Sequence, residues 1–572
     1  MVTLTIDKQQ IMVPEGTTIL QAAKKAGIAI PTLCYWKDIN EVGACRVCVV
    51  EVKGIDKLVS SCNTLVEEGM EVLTKSKRVL AARRTNVEFI LSQHHTECTV
   101  CLRNGNCRLQ DVAAAVGVQN LPYEEQYRPK DWDMTFPLIR DASKCIQCMR
   151  CISECEKITS SKVWTLLSTG RRTTVGVRDN KPIRESNCTL CGQCITHCPV
   201  GALLTRDDTA KVFDAIHDPD TITIVQVAPA VRTAWAEAAG LPRDMASPRK
   251  MAAALRRLGF DYVFDTSFSA DLTIMEESNE FLVEFAKKDR KWPMFTSCCP
   301  GWVRFMKHEY PDMVEALSTS KSPQQMFGAM VKSYCPEVLG IDRKKICSIS
   351  VMPCVAKKYE AAVAEVNSDD DVRDIDLVIT TREFLRMLKT ASIDIQHVPE
   401  EDFDSPLGEV SGGGIIFGTT GGVMEAALRT AYHTVTGKNP DANTFYQVQS
   451  KDRWVEGTFN MAGAAVRIAV ANGLGNARAL VEAIRHEDVH YDFVEVMACP
   501  GGCSGGGGQP IHDGEELANV RGQYLHTLDA KWHNRFCHDN PEIQRIYADF
   551  LGKPLSEKAE HYLHTNQKEW AL

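Results

Sequence analysis

Between residues 145 and 198 one cysteine spacing occurs twice: Cys145, Cys148, Cys151 and Cys155, then Cys188, Cys191, Cys194 and Cys198, the second set followed by Pro199. Neither a plain helix nor a strand presents four thiols so closely spaced to one point. The run C-x2-C-x2-C-x3-C instead wraps the chain round a compact inorganic core, and its doubling is the spacing of paired 4Fe-4S clusters. In such a pair the fourth cysteine serves the other cluster, so Cys145, Cys148 and Cys151 go with Cys198, and Cys188, Cys191 and Cys194 with Cys155. Glu156 stands where a proline would follow the first set, and that proline is not a ligand.

Of 23 cysteines in 572 residues, fifteen precede residue 200. In a reducing compartment disulfides are rare and clustered cysteines read as metal or redox sites. The opening residues MVTLTID carry no basic n-region, apolar h-region or twin arginine, and no run of about 18 apolar residues is present, so a soluble cytoplasmic protein is expected. The length suggests about three to five domains. A net charge of -9 argues against a general nucleic-acid surface and leaves protein partners open.

Two more ligand sets lie upstream. Residues 2–7 and 10–13 alternate as strands, and a helix over 18–25 stops at Gly27, which is a β-grasp opening. Cys34, Cys45, Cys48 and Cys62 follow as C-x10-C-x2-C-x13-C, which suits a 2Fe-2S cluster, with zinc as the alternative. A helix is expected over 77–91, and then come His94, Cys98, Cys101 and Cys107. Three cysteines and a histidine form a common zinc set, so zinc and a His-ligated 4Fe-4S cluster both stand, and His95 competes with His94. Residues 121–141 read as a connector.

From about residue 209 apolar runs at 221–227, 262–264, 293–295, 348–352, 375–379 and 493–496 alternate with helical stretches, so a largely parallel sheet is expected. Three of these strands end in cysteine, at 296–302 (TSCCPGW), at Met352-Pro353-Cys354 and at 499–503. Loops at the carboxyl ends of parallel strands share one crevice, which would gather Cys299, Cys354, Cys499 and Cys503 as a 4Fe-4S set. Gly501, Gly502 and residues 505–508 would let backbone hug that cluster. A phosphate cradle is the alternative, but Gln509-Pro510 stands where it needs Lys and Ser/Thr. Isolated Cys335, Cys347 and Cys537 read as core packing.

The segments TSCCPGW, MPCVAKKYE (352–360) and EVMACPGGCSGGGGQP (495–510) resemble the three signature segments of iron-only (FeFe) hydrogenases. With the N-terminal sets the resemblance extends to the long multi-cluster form, whose His-ligated 4Fe-4S segment is shared with the large iron-sulfur subunit of respiratory complex I. It implies an α/β, parallel-sheet-rich catalytic domain at 209–572 with a C-terminal wrap from about 521. Before it would come a β-grasp 2Fe-2S ferredoxin-like domain at 1–78 and small α+β iron-sulfur modules, a His/Cys3 4Fe-4S domain at 79–126 and a double 4Fe-4S domain at 127–208. The implied cofactors are one 2Fe-2S and three accessory 4Fe-4S clusters, and an H-cluster in which Cys503 bridges a 4Fe-4S cluster to a diiron unit bearing CO, cyanide and azadithiolate.

By the same matching His94 is the ligand and Lys357 donates to a cyanide. Pro229, Ala230, Gln324, Met352, Phe417 and Met497 line the diiron unit, with Ala230 where some members have Ser. Protons would pass along Cys298, Glu277, Ser318 and Glu280, with Glu284 standing where well-known members have Arg. Without the resemblance, Lys357 reads as an exposed lysine, and Glu277 and Glu280, three apart on a helix expected over 271–287, as an acidic face. The implied activity is reversible reduction of protons to hydrogen, with electrons from ferredoxin or from NAD-linked flavin and iron-sulfur partner subunits, as in an electron-bifurcating complex, and with maturation proteins for the diiron unit. The competing function is a hydrogenase-like iron-sulfur assembly protein without hydrogen chemistry.

Overall fold

The computed structural model describes residues 1–570 apart from 128, 238, 239, 243, 244, 246, 288, 289, 370, 447, 448 and 451. At the N-terminal end the strands Val2–Ile6 and Gln9–Val13 pair antiparallel, and Val2–Ile6 also pairs parallel with Glu71–Leu73. Val49–Val52 and Val59–Ser60 complete a five-stranded sheet. Helix Ile19–Lys25 starts at a capping box, in which Thr18 Oγ1 accepts the Gln21 N–H and the Gln21 side chain accepts the Thr18 N–H. Its Ile19, Ala22 and Ala23 bury against Leu4, Ile6, Val50 and Val52, and this core reaches Cys48 and Cys62.

Helix Lys77–Leu91, capped by Ser76, matches the expected span and leads to the His94 segment. The strand Leu138–Arg140 pairs with Leu203–Thr205 and brackets the doubled cysteine run, so the end of the stretch read as a connector is structured.

The α/β region holds two sheets where one was expected. Four parallel strands, in the order Tyr262–Asp265, Ile222–Val227, Ile346–Met352 and Leu377–Thr380, are almost wholly buried, as a sheet covered by helices on both faces must be. The second sheet is mixed, in the order Met294–Phe295, Phe493–Met497, Ala464–Asn472, Val455–Met461 and Gln449–Ser450. Its hairpin turns at Ala462 and Gly463, both with positive φ. That Ala-Gly pair lacks the Asn-Gly or Asp-Gly signature of such turns, which is why the hairpin was not legible.

Between the sheets lies helix Thr266–Ala286, which begins five residues ahead of expectation because Asp265, the last residue of its strand, caps it by accepting the Ser267 N–H. Glu276 and Glu277 on this helix are fully buried. Helices Ala518–Lys531, Pro541–Ile546 and Glu557–Leu563 lie over this region. No helix among the described residues is long and apolar enough to cross a membrane.

Candidate active site

The three cysteine-bearing loops meet, but from different sheets. Met294–Phe295 and Phe493–Met497 run side by side in the mixed sheet and deliver Cys299, Cys499 and Cys503, while Ile346–Met352 delivers Cys354 from the parallel one. The four thiols are close enough to disfavour one another's ionisation. Burial first, and then Cys299, raises Cys354 to about 12, and burial with Cys299 and Cys354 raises Cys503 further. Four thiols pressed together, with Lys357 the cation that partly offsets them, are an unfavourable set to ionise on their own, and a cationic metal core reverses that, because coordinated thiols deprotonate.

The glycines of the third loop also pack directly against protein backbone. A Cβ on Gly506 would stand 2.2 Å from the Pro353 carbonyl oxygen, one on Gly508 2.8 Å from the Pro353 carbonyl carbon, and one on Gly507 2.4 Å from the Cys191 carbonyl oxygen. Their absent side chains let this loop wedge between the Cys354 loop and the doubled cysteine module.

Lys357 is buried, so the exposed-lysine reading fails. Burial opposes its charge, but Glu360 overcomes that and raises its pKa. Its Nζ donates to Glu360 Oε2 at 2.9 Å and to the Cys298 carbonyl at 3.1 Å. Gln324 Nε2 donates to Glu360 at 3.0 Å, while its buried Oε1 has no partner. Pro229, Ala230, Met352, Phe417 and Met497 are all buried. A buried ammonium beside four thiols fits a polar, anionic metal assembly better than an apolar ligand.

Among the described residues no three His, Cys, Asp or Glu side chains converge as for a single metal ion. The doubled module instead holds two small, partly open pockets. One is lined by Cys145, Cys148, Cys151 and Cys198, and one by Cys155, Cys188, Cys191 and Cys194, the crossed grouping expected from the spacing. Cys34 pairs with Cys45 and Cys48 with Cys62. His94 is buried, with Nδ1 2.9 Å from the Lys144 carbonyl, so Nδ1–H donates and Nε2 is left as a bare acceptor nitrogen, the state a metal ligand needs. His95 turns away to Glu97 and stacks on Tyr127.

These sets are tied to one another through backbone. Asn40 Nδ2 bridges the Cys34 and Cys148 carbonyls at 2.8 and 3.0 Å, Lys144 joins His94 to Cys145, and Cys499 Sγ lies 3.6 Å from the Cys191 carbonyl. Two outer sets thus converge on the Cys145 set, and the Cys155 set adjoins the four-thiol centre.

Cys298 lies between the thiol set and an acid, within electrostatic reach of Cys299 and Cys503 and of Glu277. Cys298 is buried, and its thiol is pushed well above its usual range by burial and by Glu277. Burial, then Glu280, raises the Glu277 carboxyl to about 8. Neither Glu277 oxygen makes a hydrogen bond of normal geometry, although Ser318 stands near enough to lower its proton affinity. Ser318 Oγ then donates to Glu280 Oε2 at 2.6 Å, and Glu280 is half-buried. The acidic-face reading of Glu277 fails on burial. Glu284 is ion-paired with Lys287 and Arg290, off this line. Cys335 and Cys537 are buried and Cys347 partly so.

Two acids escaped the sequence reading. Glu360 was visible as the i+3 partner of Lys357. Glu495 lies in the apolar strand Phe493–Met497, where an isolated charge was the only signal. It accepts the Gly421 and Met424 N–H groups at 2.7 and 2.8 Å, fastening helix Gly422–Thr436 to the strand.

Family models match along most of the chain: a 2Fe-2S iron-sulfur cluster binding domain at 1–77, the NADH-ubiquinone oxidoreductase-G iron-sulfur binding region at 83–122, a 4Fe-4S dicluster domain at 144–202, the C-terminal domain of the iron only hydrogenase large subunit at 221–507 and the iron hydrogenase small subunit at 515–569. The chain is 46% identical to the NADP-reducing hydrogenase subunit HndD of Solidesulfovibrio fructosivorans, over 99% of this chain and 98% of that protein. It is 37% identical to iron hydrogenase 1 of Clostridium pasteurianum over the full length of both. The solved apo [FeFe]-hydrogenase HydA1 of Chlamydomonas reinhardtii is similar at 40% identity and a TM-score of 0.57, covering 63% of this chain and 98% of that one. With four thiols and a buried acid line at its centre, and with end-to-end likeness to hydrogenases, the chain belongs to the iron-only (FeFe) hydrogenase family.

Proposed function

We propose that the chain reversibly reduces protons to hydrogen, and that Cys299, Cys354, Cys499 and Cys503 hold a 4Fe-4S cluster joined through Cys503 to a diiron unit with CO, cyanide and azadithiolate ligands. That group, when bound, supplies the redox and proton-accepting chemistry. The observation that carries the reading is the placement of Cys298, whose neighbour Cys299 belongs to the thiol set while its own side chain begins the line Glu277, Ser318, Glu280.

The protein's own part is to deliver protons and electrons from opposite sides. A neutral Cys298 thiol holds a proton at the buried end, Glu277 replenishes it, and Ser318 bridges to Glu280 near the surface. Lys357, locked by Glu360, holds a positive charge beside the thiols for an anionic ligand, and Gln324 braces the same Glu360. Met352, Met497, Phe417, Pro229 and Ala230 exclude water, which makes a dedicated proton line necessary.

Electrons would pass through a 2Fe-2S cluster on Cys34, Cys45, Cys48 and Cys62, a 4Fe-4S cluster on His94, Cys98, Cys101 and Cys107, and the two clusters of the doubled module. The full-length likeness to an NADP-reducing hydrogenase subunit supports work within a complex; we place that complex in the cytoplasm, fed by flavin and iron-sulfur partner subunits or by ferredoxin. The diiron ligands require maturation proteins.

Matured protein should contain about 20 iron atoms per chain and little zinc. It should show infrared bands of metal-bound CO and cyanide and evolve hydrogen from a reduced dye. Protein made without the maturation proteins should lack the bands and the activity. Matured protein with neither would favour the iron-sulfur assembly reading.

A further inference from the structure

The outer end of the acid line continues beyond Glu280. Thr319 Oγ1 lies 2.9 Å from Glu280 Oε1 and 2.8 Å from His564 Nδ1, and His564 Nε2 lies 3.0 Å from Glu276 Oε2. Glu276 is fully buried and already accepts the Tyr547 hydroxyl and the Leu555 N–H. With the Glu276 oxygens as acceptors, His564 Nε2 carries hydrogen, and Nδ1 is the atom free to gain or lose a proton.

His564 is held there by backbone as well as by side chain. Residues 563–565 run antiparallel to 319–321: the Lys321 N–H donates to the Leu563 carbonyl at 2.8 Å, the Thr565 N–H to the Thr319 carbonyl at 2.8 Å, and Ser320 and His564 form a β-bridge. Gln567 Nε2 donates to the Ser318 carbonyl at 2.9 Å. Thr319 is exposed and the His564 side chain is 9% exposed, so the pair sits where the line meets solvent.

We propose that His564 loads and unloads the proton line, exchanging a proton with Glu280 through the Thr319 hydroxyl. This rests on the proton-line reading above. The hydrogen-bond pattern has two self-consistent states. In one, His564 is an imidazolium whose Nδ1–H donates to Thr319 Oγ1, and the Thr319 hydroxyl donates to an ionised Glu280. In the other, Glu280 is protonated and donates to Thr319 Oγ1, and Thr319 donates to the bare Nδ1 of a neutral imidazole. Passage between them moves the Nδ1 proton onto Thr319 Oγ1 as the Thr319 proton moves onto Glu280 Oε1. One N–H and one O–H bond break, two O–H bonds form, and a single positive charge crosses from His564 to Glu280. Hydrogen oxidation runs it in reverse.

The charges facing this relay are Glu276 from helix Thr266–Ala286, Tyr547 from Tyr547–Leu551, Glu280 itself, and Arg290, which stands near Glu280. Lys321 points away to Asp374 at 3.8 Å.

The test compares His564→Gln, His564→Ala, Thr319→Val and Glu280→Gln in matured protein. His564→Gln and Thr319→Val should each lower turnover about 10²-fold at pH 8 with CO and cyanide bands unchanged, the low end of what a positioned proton-transfer group contributes. The loss should shrink toward pH 6, where water reloads Glu280 directly. The double variant should lose no more than either single, and imidazole in solution should restore His564→Ala. In protein without the diiron unit, the infrared carboxyl stretch assigned to Glu280 should change its titration midpoint in His564→Gln. Wild-type pH profiles for the His564 and Thr319 variants beside an impaired Glu280→Gln would overturn the relay and leave the proton line standing. An unimpaired Glu280→Gln would overturn the line as well.

Discussion

The proposed electron side and the proposed proton side of the site are built on opposite plans. On the electron side ligands come in short-spaced runs, so each cavity is made mostly by one local stretch, and neighbouring sets are joined by backbone carbonyls such as those of Lys144 and Cys191. On the proton side each group comes from a different element: Cys298 from a strand end, Glu277 and Glu280 from helix Thr266–Ala286, Ser318 and Thr319 from a loop, and His564 from beyond helix Glu557–Leu563. A metal core organises its own ligands once they are near one another. A proton line has no such organiser and depends on tertiary packing for every distance. The electron side should therefore fail as a unit when one ligand is lost, whereas the proton side should lose rate while its metal site stays intact.

The sharpest break of this comparison is Cys299→Ala against Cys298→Ala. The first should abolish turnover and reduce iron content, measured by metal analysis. The second should keep the iron and the infrared bands while turnover falls about 10²- to 10⁴-fold in both directions. Equal metal loss in both variants would erase the distinction between the two sides.

A smaller effect tests the burial of the acid line. A carboxyl raised from the usual range to about 8 binds more protons folded than unfolded, so its contribution to stability is present below about pH 4.5 and is lost as pH rises to about 8. Glu277→Gln removes that loss. Relative to wild type, the variant without its diiron unit should gain on the order of a few kcal/mol between pH 5 and pH 9 by urea unfolding. A pH-independent difference would place Glu277 in contact with solvent.

Gly506→Ala probes the wedge between the two sides. A Cβ 2.2 Å from the Pro353 carbonyl oxygen forces the loops apart, with an expected loss of about 1–3 kcal/mol and incomplete cluster loading, read by Tm and iron content. The smallest effect is remote from both sides. Thr18→Ala, which removes one cap from helix Ile19–Lys25, should cost about 1 kcal/mol and leave turnover unchanged.

Local chemistry was legible in the sequence and distant pairing was not. Helix Lys77–Leu91 and the strand Phe493–Met497 follow from period and punctuation, and the crossing of Cys155 and Cys198 between cavities follows from spacing. The division into two sheets was not legible, because apolar runs do not say which strand they join. Nor were the partners of the glycines at 506–508: a glycine signals close approach without naming what approaches. Buried acids such as Glu495 look like surface charges until the helix they cap is brought to them.

The strand Phe493–Met497 lies between Met294–Phe295 and Ala464–Asn472, and Val496 hydrogen-bonds to Thr296 across 200 residues of chain. On a ribosome adding about 5–20 residues each second, the Cys299 loop would thus emerge some 10–40 s ahead of the strand that completes it. Through that interval Cys299 waits for partners not yet synthesised, and the sheet keeps an open slot beside Met294–Phe295. The four-thiol centre is among the late events of this chain's life, so a stall before residue 493 leaves the upstream cysteine sets with no completed centre to serve.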